Sequence, residues 1–176
     1  NQALLFDLGG VIETIYPHQV VEAFSRVGMK DASQFFSLIR QCPEVDQFEK
    51  GQIDDDEFIN FIRNYCDSRV LPDKIRQAWC ANQGGVFQAN YRTLLALKSQ
   101  NIPLYILSNT NSIHYAHIQS EFKKAHGHPI DDLFEATFLS YQMGCRKPAP
   151  EIFELVMAQM PCHANKILFV DDLKQN

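Results

Sequence analysis

The stretch ALLFDLGGVI, residues 3–12, joins an apolar run to an acidic residue and two glycines. Because the run from Ala3 to Phe6 is apolar without interruption, it predicts a short strand buried on both faces. Asp7 stands at the end of that strand, and Gly9 and Gly10 let the backbone turn tightly beside its carboxylate. An aspartate in this place often caps a turn, so the stretch alone leaves a structural and a functional interpretation open.

Three later segments resemble this first strand, namely Leu104 to Leu107, Ala136 to Leu139 and Lys166 to Val170. They are separated by stretches with helical periodicity. This alternation predicts an α/β fold built on a doubly wound parallel sheet. In such a sheet, reactive side chains gather at the carboxyl ends of the strands.

The first two strands are separated by a long stretch with apolar residues at helical spacing and no convincing strand. It is too long for a simple crossover. We predict a helical cap domain at residues 16–84, inserted into a core made of residues 1–15 and 85–176. The helix from Ala89 to Ser99 belongs to that core. Because no closing helix or strand follows Asp171 and Asp172, the C-terminus of the core is expected to be incomplete.

Composition limits the partners of the chain. A net charge of -5 disfavours nucleic acid, which requires a basic surface. No apolar run reaches the roughly 18 residues of a membrane span, and the N-terminal apolar run is too short for a secretory signal. The five cysteines form no CxxC pair, so we expect free thiols and a cytoplasmic location. The sequence gives no indication of the oligomeric state.

The second polar cluster is in LYILSNTN, residues 104–111, where an apolar strand precedes Ser108 and Asn109. Hydroxyl, amide and backbone N–H groups at a strand-to-helix junction are suited to binding a phosphate. The alternative is a plain helix N-cap, which the same residue types favour.

Two further clusters follow later strands. In GCRKPAPEIF, residues 144–153, Lys147 precedes a helix start marked by prolines, where a fixed ammonium can neutralise a phosphoryl group; an exposed loop lysine is the alternative. In ILFVDDLKQN, residues 167–176, the strand ends in the adjacent acids Asp171 and Asp172. A divalent cation would explain two neighbouring carboxylates, and a solvated turn is the other interpretation.

The order of these four clusters resembles the four motifs of the haloacid dehalogenase superfamily, over essentially the whole chain from Leu4 to Asn176. The helical insertion after the first motif resembles the subgroup with a helical cap. Among its members, FDLGGVI, LSNTN, GCRKPAPEIF and FVDD are most similar to small sugar-phosphate phosphatases. The resemblance implies a Rossmann-like core and a Mg²⁺-dependent phosphatase that hydrolyses a small phosphomonoester, with a sugar phosphate favoured.

The resemblance also implies a role for each motif residue. Asp7 would attack phosphorus and become a phosphoryl-aspartate. Ser108, Asn109 and Lys147 would hold the substrate phosphate, with Lys147 also acting in catalysis. Mg²⁺ would be held by four residues: Asp7, the Gly9 carbonyl, Asp171 and Asp172. These roles suit phosphoryl transfer, in which negative charge spreads over three equatorial oxygens.

The chain departs from the usual phosphatase pattern at two positions. Gly9 stands where most relatives have a second aspartate that protonates the leaving group, and Glu13 is the nearest acidic candidate, although nothing in the sequence directs it inward. Gln175 stands where many relatives have another acid, for which Asn176 is a substitute. Two alternatives therefore stay open: a catalytically silent protein that binds a phosphorylated ligand or a partner, and a metal-independent 2-haloacid dehalogenase, which the acidic pair disfavours.

Three other patterns are better explained by structure than by function. Residues 46–57 resemble a calcium loop but lack oxygen ligands at two positions, so Asp54 and Glu57 are predicted to form a helix capping box. His114 and His117 share a helical face, yet surface histidines are commoner than such metal sites. Trp79 and Phe87 are more typical of a core than of the mouth of the cap.

Overall fold

A parallel four-stranded sheet forms the centre of the core in the computed structural model, which describes residues 2–39 and 42–176. Its strands lie in the order β5 (Ala136–Leu139), β4 (Leu104–Ser108), β1 (Ala3–Phe6) and β6 (Ile167–Val170). Every neighbouring pair is parallel. The predicted α/β class with a parallel sheet is confirmed, and each of the four strands lies within one residue of its predicted bounds.

Helices cover both faces of this sheet because side chains alternate along each strand. On one face, Leu4 and Ile106 lie in a hydrophobic cluster with α6 (Gln88–Ser99) and α7 (Ser112–His126). On the other face, Leu5 and Leu107 lie in a second cluster with α9 (Pro150–Gln159). A short helix, α8 (Ser140–Met143), follows β5 directly.

The inserted helices have a hydrophobic core of their own. They are α1 (Pro17–Arg26), α2 (Ala32–Leu38), α3 (Pro43–Glu49), α4 (Asp55–Arg63) and α5 (Pro72–Trp79). Phe58 is fully buried and its ring stacks on that of Phe48, with centroids 4.1 Å apart. The predicted capping box is present, since Asp54 and Glu57 each accept a hydrogen bond from the other's backbone N–H at 2.9 Å. The domain boundaries at residues 16–84 stay a prediction.

The expectation that no strand interrupts the region between β1 and β4 is wrong. The strands β2 (Glu13–Ile15) and β3 (Gln83–Val86) form an antiparallel pair where the chain leaves and re-enters the core. β2 has only three residues and β3 contains two glycines, so neither shows the alternation that identifies a strand from sequence. A Cβ on Gly84 would lie 2.4 Å from Tyr16 Cε2, so only glycine lets that ring cover the strand.

Candidate active site

Asp7 lies at the carboxyl end of β1, in the middle of the sheet. Its N–H donates to Val170 O at 2.9 Å, which continues the ladder to β6 by one residue. The Leu8 N–H donates to Asp7 Oδ1 at 2.7 Å and fixes the carboxylate. Asp7 is 7% exposed, and this burial raises the pKa of its carboxyl, while the nearby ammonium of Lys147 opposes the shift.

Lys147 is 1% exposed and lies between two carboxylates. Its Nζ is 3.0 Å from Asp7 Oδ2 and 2.6 Å from Asp171 Oδ2. The alternative of an exposed loop lysine is therefore wrong. A buried ammonium is costly unless it is paired, and here two acids flank it.

The side chain of Asn109 holds the backbone of Lys147. Its Oδ1 accepts from Lys147 N at 2.8 Å, and its Nδ2 donates to Lys147 O at 2.9 Å. Asn109 also lines the cavity beside Asp7. Its contact with the substrate phosphate stays a prediction. In the structure, its amide positions the lysine.

Three carboxylates form a candidate cation site. Asp7, Asp171 and Asp172 each offer an oxygen within 4.8 Å of the others, and they are the one such group among the residues that the structure describes. Carboxylate oxygens are the ligands that Mg²⁺ prefers. Burial favours a higher pKa for Asp171, but hydrogen bonds from Lys147, Leu173 N and Asn176 outweigh it and lower the pKa.

The turn after β1 leaves room for these acids only because it contains glycine. Gly10 has a φ of +80°, and a Cβ there would lie 2.4 Å from Asp172 Oδ2. Gly9 lines the same cavity, as the predicted carbonyl ligand requires. Asn176 Nδ2 donates to both oxygens of Asp171 at 3.0 Å. The amide of Asn176 therefore orients the Asp171 carboxylate, with the nitrogen of the amide facing the acid.

The end of β4 and the loop after it carry the remaining predicted residues. Ser108 is buried and lines the cavity with Asp7. Asn111 is the N-cap of α7, since its Oδ1 accepts from His114 N at 3.0 Å, which confirms the capping interpretation for this residue. Ser140, which sequence reasoning missed, fixes the loop, because its hydroxyl accepts from Thr110 N and donates to Thr110 O.

A cavity of about 820 Å³ opens above these side chains, between the core and the inserted helices. Val45 and Glu49 of α3 form part of its wall. Arg146, next to Lys147 in the chain, pairs with Glu49 at 2.8 Å and links the core to α3. This cavity is therefore lined by residues of both the core and the inserted helix α3.

Glu13 is a further acid that lines this cavity, and the sequence did not show that its side chain points inward. It is 3% exposed, and Gln83 Nε2 donates to its two oxygens at 3.0 and 3.2 Å. Burial raises the pKa of Glu13 to about 7. At a pH between its ordinary pKa and about 7, Glu13 therefore carries a proton in the folded protein that it has lost in the unfolded chain.

The replacement Glu13→Gln is expected to stabilise the protein above pH 7. Folding raises the pKa of this carboxyl from its ordinary value to about 7. The free energy of unfolding therefore decreases as the pH rises between these two values, by about 3 kcal/mol in total. The amide avoids that loss, and its nitrogen can donate to Gln83 Oε1, which has no partner among the described residues. Melting temperatures between pH 5 and 8 measure the effect.

The variant and the wild type should differ most at pH 8 and converge near pH 5. Glu154→Gln, on the exposed side of α9, is the control and should follow the wild type at every pH. If the melting temperatures of wild type and Glu13→Gln changed in parallel between pH 5 and 8, that result would contradict the raised pKa of Glu13.

The histidine and aromatic patterns have structural explanations. His114 Nε2 lies 3.0 Å from Trp79 O and its Nδ1 lies 3.3 Å from Asn111 Nδ2, so both ring nitrogens have protein partners. Burial lowers the pKa of His114 to about 4. Trp79 is 8% exposed and packs in the core of the inserted helices, as predicted, whereas Phe87 is exposed at the rim of the cavity.

Comparison with known proteins agrees with this geometry. Residues 2–173 match the family model of haloacid dehalogenase-like hydrolases. The chain is 31% identical over 173 residues to a D-ribitol-5-phosphate phosphatase of Bacteroides thetaiotaomicron, covering 98% of this chain and 84% of that protein. It is 28% identical over 178 residues to a sesquiterpene phosphatase of Aspergillus oryzae, covering 99% and 82%.

A solved structure of a haloacid dehalogenase family enzyme from Bacteroides thetaiotaomicron, in complex with magnesium and inorganic phosphate, superimposes with a TM-score of 0.90. The two are 31% identical, over 98% of this chain and 85% of the other. The chain belongs to the haloacid dehalogenase-like hydrolase family, which confirms the predicted resemblance. The predicted magnesium cofactor and phosphatase class are supported by these relatives.

Proposed function

We propose that the protein hydrolyses a small phosphomonoester with Mg²⁺ as cofactor and Asp7 as nucleophile. The observation that carries this proposal is the convergence of Asp7, Lys147, Asp171 and Asp172 at one edge of the sheet. A buried carboxylate, a buried ammonium and a cluster of oxygen ligands at the mouth of a cavity are the groups that phosphoryl transfer requires.

In the first step, the Asp7 carboxylate attacks phosphorus, the bond from phosphorus to the ester oxygen breaks, and that oxygen leaves as the alcohol with a proton taken from water. In the second step, water attacks the phosphorus of the phosphoryl-aspartate, which releases inorganic phosphate and restores the carboxylate. A covalent intermediate divides one difficult displacement into two easier ones. The bond from Leu8 N to Asp7 Oδ1 keeps the carboxylate oriented for both steps.

Lys147 supplies positive charge where the phosphoryl oxygens lie, and Asn109 keeps its backbone in place. Ser108 adds a hydroxyl donor at the same end of the cavity. Asp7, Asp171, Asp172 and the Gly9 carbonyl would hold Mg²⁺, which supplies further charge stabilisation for the transferring phosphoryl group. Such preorganised charge accounts for most of the expected rate enhancement.

The substrate that we propose is a phosphorylated sugar or sugar alcohol. The relative named as a D-ribitol-5-phosphate phosphatase supports this class. Gly9 offers no side chain to protonate the leaving group. The site therefore favours a leaving group that departs readily without that proton, such as an anomeric sugar oxygen.

The protein is also proposed to act in the cytoplasm on a small molecule. The five cysteines are free thiols, which is typical of a reducing compartment. The net charge of -5 suits a small substrate better than nucleic acid. Among the described residues, no helix has the length and hydropathy that crossing a membrane requires.

Phosphate release from 4-nitrophenyl phosphate and from a panel of sugar and sugar-alcohol phosphates tests the proposal. We expect turnover with Mg²⁺, and a loss on the order of 10³-fold or more in excess EDTA, because the three carboxylates then repel the substrate. Restoring Mg²⁺ should restore the rate.

Saturable phosphate binding without turnover would replace this proposal by a silent ligand-binding protein. Halide release from a 2-haloacid in EDTA would replace it by a dehalogenase. The position of the acidic pair, within ligand distance of Asp7, favours the phosphatase over the dehalogenase.

A further inference from the structure

The loop between α8 and α9 is held from two sides. On the side of the core, the Asn109 amide binds the backbone N–H and carbonyl of Lys147 at 2.8 and 2.9 Å. On the side of the inserted helices, Arg146 pairs with two acids of α3. Neighbouring residues of one loop therefore contact different parts of the molecule, since Lys147 lies beside Asp7 and Arg146 lies beside α3.

Arg146 and Lys147 belong to the same tight turn. The Ala149 N–H donates to Arg146 O at 3.0 Å, which closes the turn directly before α9 begins at Pro150. Pro148, inside the turn, has a φ angle that its ring fixes. Because a closed turn of four residues has few free dihedral angles, a shift of Arg146 is expected to displace Lys147 as well.

The anchor of Arg146 is a network of charges. Its Nη1 lies 2.8 Å from Glu49 Oε2 and 3.5 Å from Asp46 Oδ1, and Asp46 also pairs with Lys50 at 2.7 Å. The side chains of Arg146 and Glu49 are 31% and 21% exposed. An isolated ion pair at the surface stabilises little, but several partly buried charges in one network can hold a side chain in place.

The end of α3 is fixed against the core beside this network. Gly51 follows α3 with a φ of +64°, and a Cβ there would lie 2.1 Å from Tyr141 O in α8. Only glycine allows so close an approach of the two backbones. The acids of α3 are therefore held at a defined place relative to the loop that carries Arg146 and Lys147, which begins where α8 ends.

We propose that Glu49 and Asp46 are positioning residues for Lys147 and act on it through Arg146. While α3 is in place, the two acids hold Arg146, and the turn keeps the Lys147 ammonium 3.0 Å from Asp7 Oδ2. Movement of α3 away from the core releases Arg146 and loosens the turn. The inserted helices thus contribute to charge stabilisation without contacting the phosphoryl group. The inference rests on the proposed function, because it concerns the role of Lys147 in it.

Hydrogen exchange measured by NMR in EDTA tests the coupling without a substrate. Glu49→Gln keeps the size of the side chain and removes its charge. The amide protons of Lys147 and Ala149 are hydrogen-bonded in the loop, and both should exchange about 2- to 5-fold faster in this variant, because the anchored loop is less populated. Glu44→Gln makes the same change in the first turn of α3, where the described residues provide no ion pair, and should leave both rates unchanged.

A second variant tests whether Glu49 acts through Arg146. Arg146→Gln removes the guanidinium and should accelerate the exchange of the same amide protons. Because both substitutions break the same ion pair, combining Arg146→Gln with Glu49→Gln should accelerate exchange no further than Arg146→Gln alone. Additive effects of the two substitutions would overturn the inference, and so would unchanged exchange of the Lys147 and Ala149 amides in Glu49→Gln.

Steady-state kinetics test whether Glu49 acts on Lys147. In the wild-type background, Glu49→Gln is expected to lower kcat by about 5- to 30-fold, because a displaced ammonium offsets less charge in the transition state. In the Lys147→Met background, the same substitution should change kcat by less than about 2-fold, because no ammonium is left to position. Equal losses in both backgrounds would mean that Glu49 contacts the substrate or supports packing alone, and would overturn the inference.

The exchange measurement separates this inference from the proposed function, because it needs no turnover. Faster exchange in Glu49→Gln supports the coupling of α3 to Lys147 even if the protein hydrolyses none of the esters in the panel. Turnover by the wild type with unchanged exchange in Glu49→Gln would leave the proposed function in place and refute the coupling.

Discussion

Replacing Asp7 by asparagine is expected to reduce kcat by roughly 10⁴- to 10⁶-fold, because the neutral carboxamide oxygen is a much weaker nucleophile towards phosphorus than the carboxylate. The fold should survive, since Lys147 keeps its contact with Asp171 at 2.6 Å. Steady-state phosphate release measures the loss. Mass spectrometry of acid-quenched enzyme should find a phosphoryl adduct on wild type and none on the variant.

Asp73→Asn is the matched control, because Asp73 is exposed in the first turn of α5, away from the cavity. It should turn over at the wild-type rate. Activity of Asp7→Asn within about tenfold of wild type would exclude Asp7 as the nucleophile.

Replacing Lys147 by methionine is expected to affect both catalysis and stability. The rate should fall by about 10³-fold, because the ammonium no longer offsets charge on the phosphoryl oxygens. In EDTA, the free energy of unfolding should decrease by about 3 kcal/mol, because Asp7 and Asp171 lose the buried cation between them. Methionine has a similar length and leaves little empty volume.

Mg²⁺ should stabilise this variant by more than it stabilises wild type, because the cation no longer competes with Lys147 for the two acids. Chemical denaturation with and without Mg²⁺ measures both quantities. Lys166→Met, at an exposed position before β6, controls for the loss of one positive charge. Equal stability of Lys147→Met and wild type in EDTA would show that the buried ion pairs contribute nothing net.

The central sheet could be predicted from the sequence because helices cover both of its faces. Its strands are therefore apolar at nearly every position, which makes them recognisable as short apolar runs. The same signal predicted Asp7, Asp171 and Asp172 as site residues, since each follows such a run, whereas Lys147 was predicted from the proline-marked helix start that it precedes. The capping box at Asp54 was predictable for another reason: it needs only residues close together in the chain.

The parts that sequence did not reveal depend on contacts between distant segments. Glu13 and Gln83 are paired by two hydrogen bonds across the β2–β3 ribbon, and neither strand has a local signature. Trp79 was correctly predicted to be buried, but its unpaired indole nitrogen appears only once α5 is packed against α7. Ser140, the first residue of α8, orients the loop after β4 through hydrogen bonds to Thr110, a contact that no spacing rule in the sequence predicts.

The β2–β3 ribbon has a mechanical consequence. The chain passes between the core and the inserted helices twice, once through β2 and once through β3, and these two strands are hydrogen-bonded to each other. We expect a strap of this kind to bend more easily about one axis than it slides, so that the helices would keep their register over Asp7 if they tilted away from the sheet. Entry and departure of a small ligand would then require the flexing of only a few peptide groups near Glu13 and Gly84.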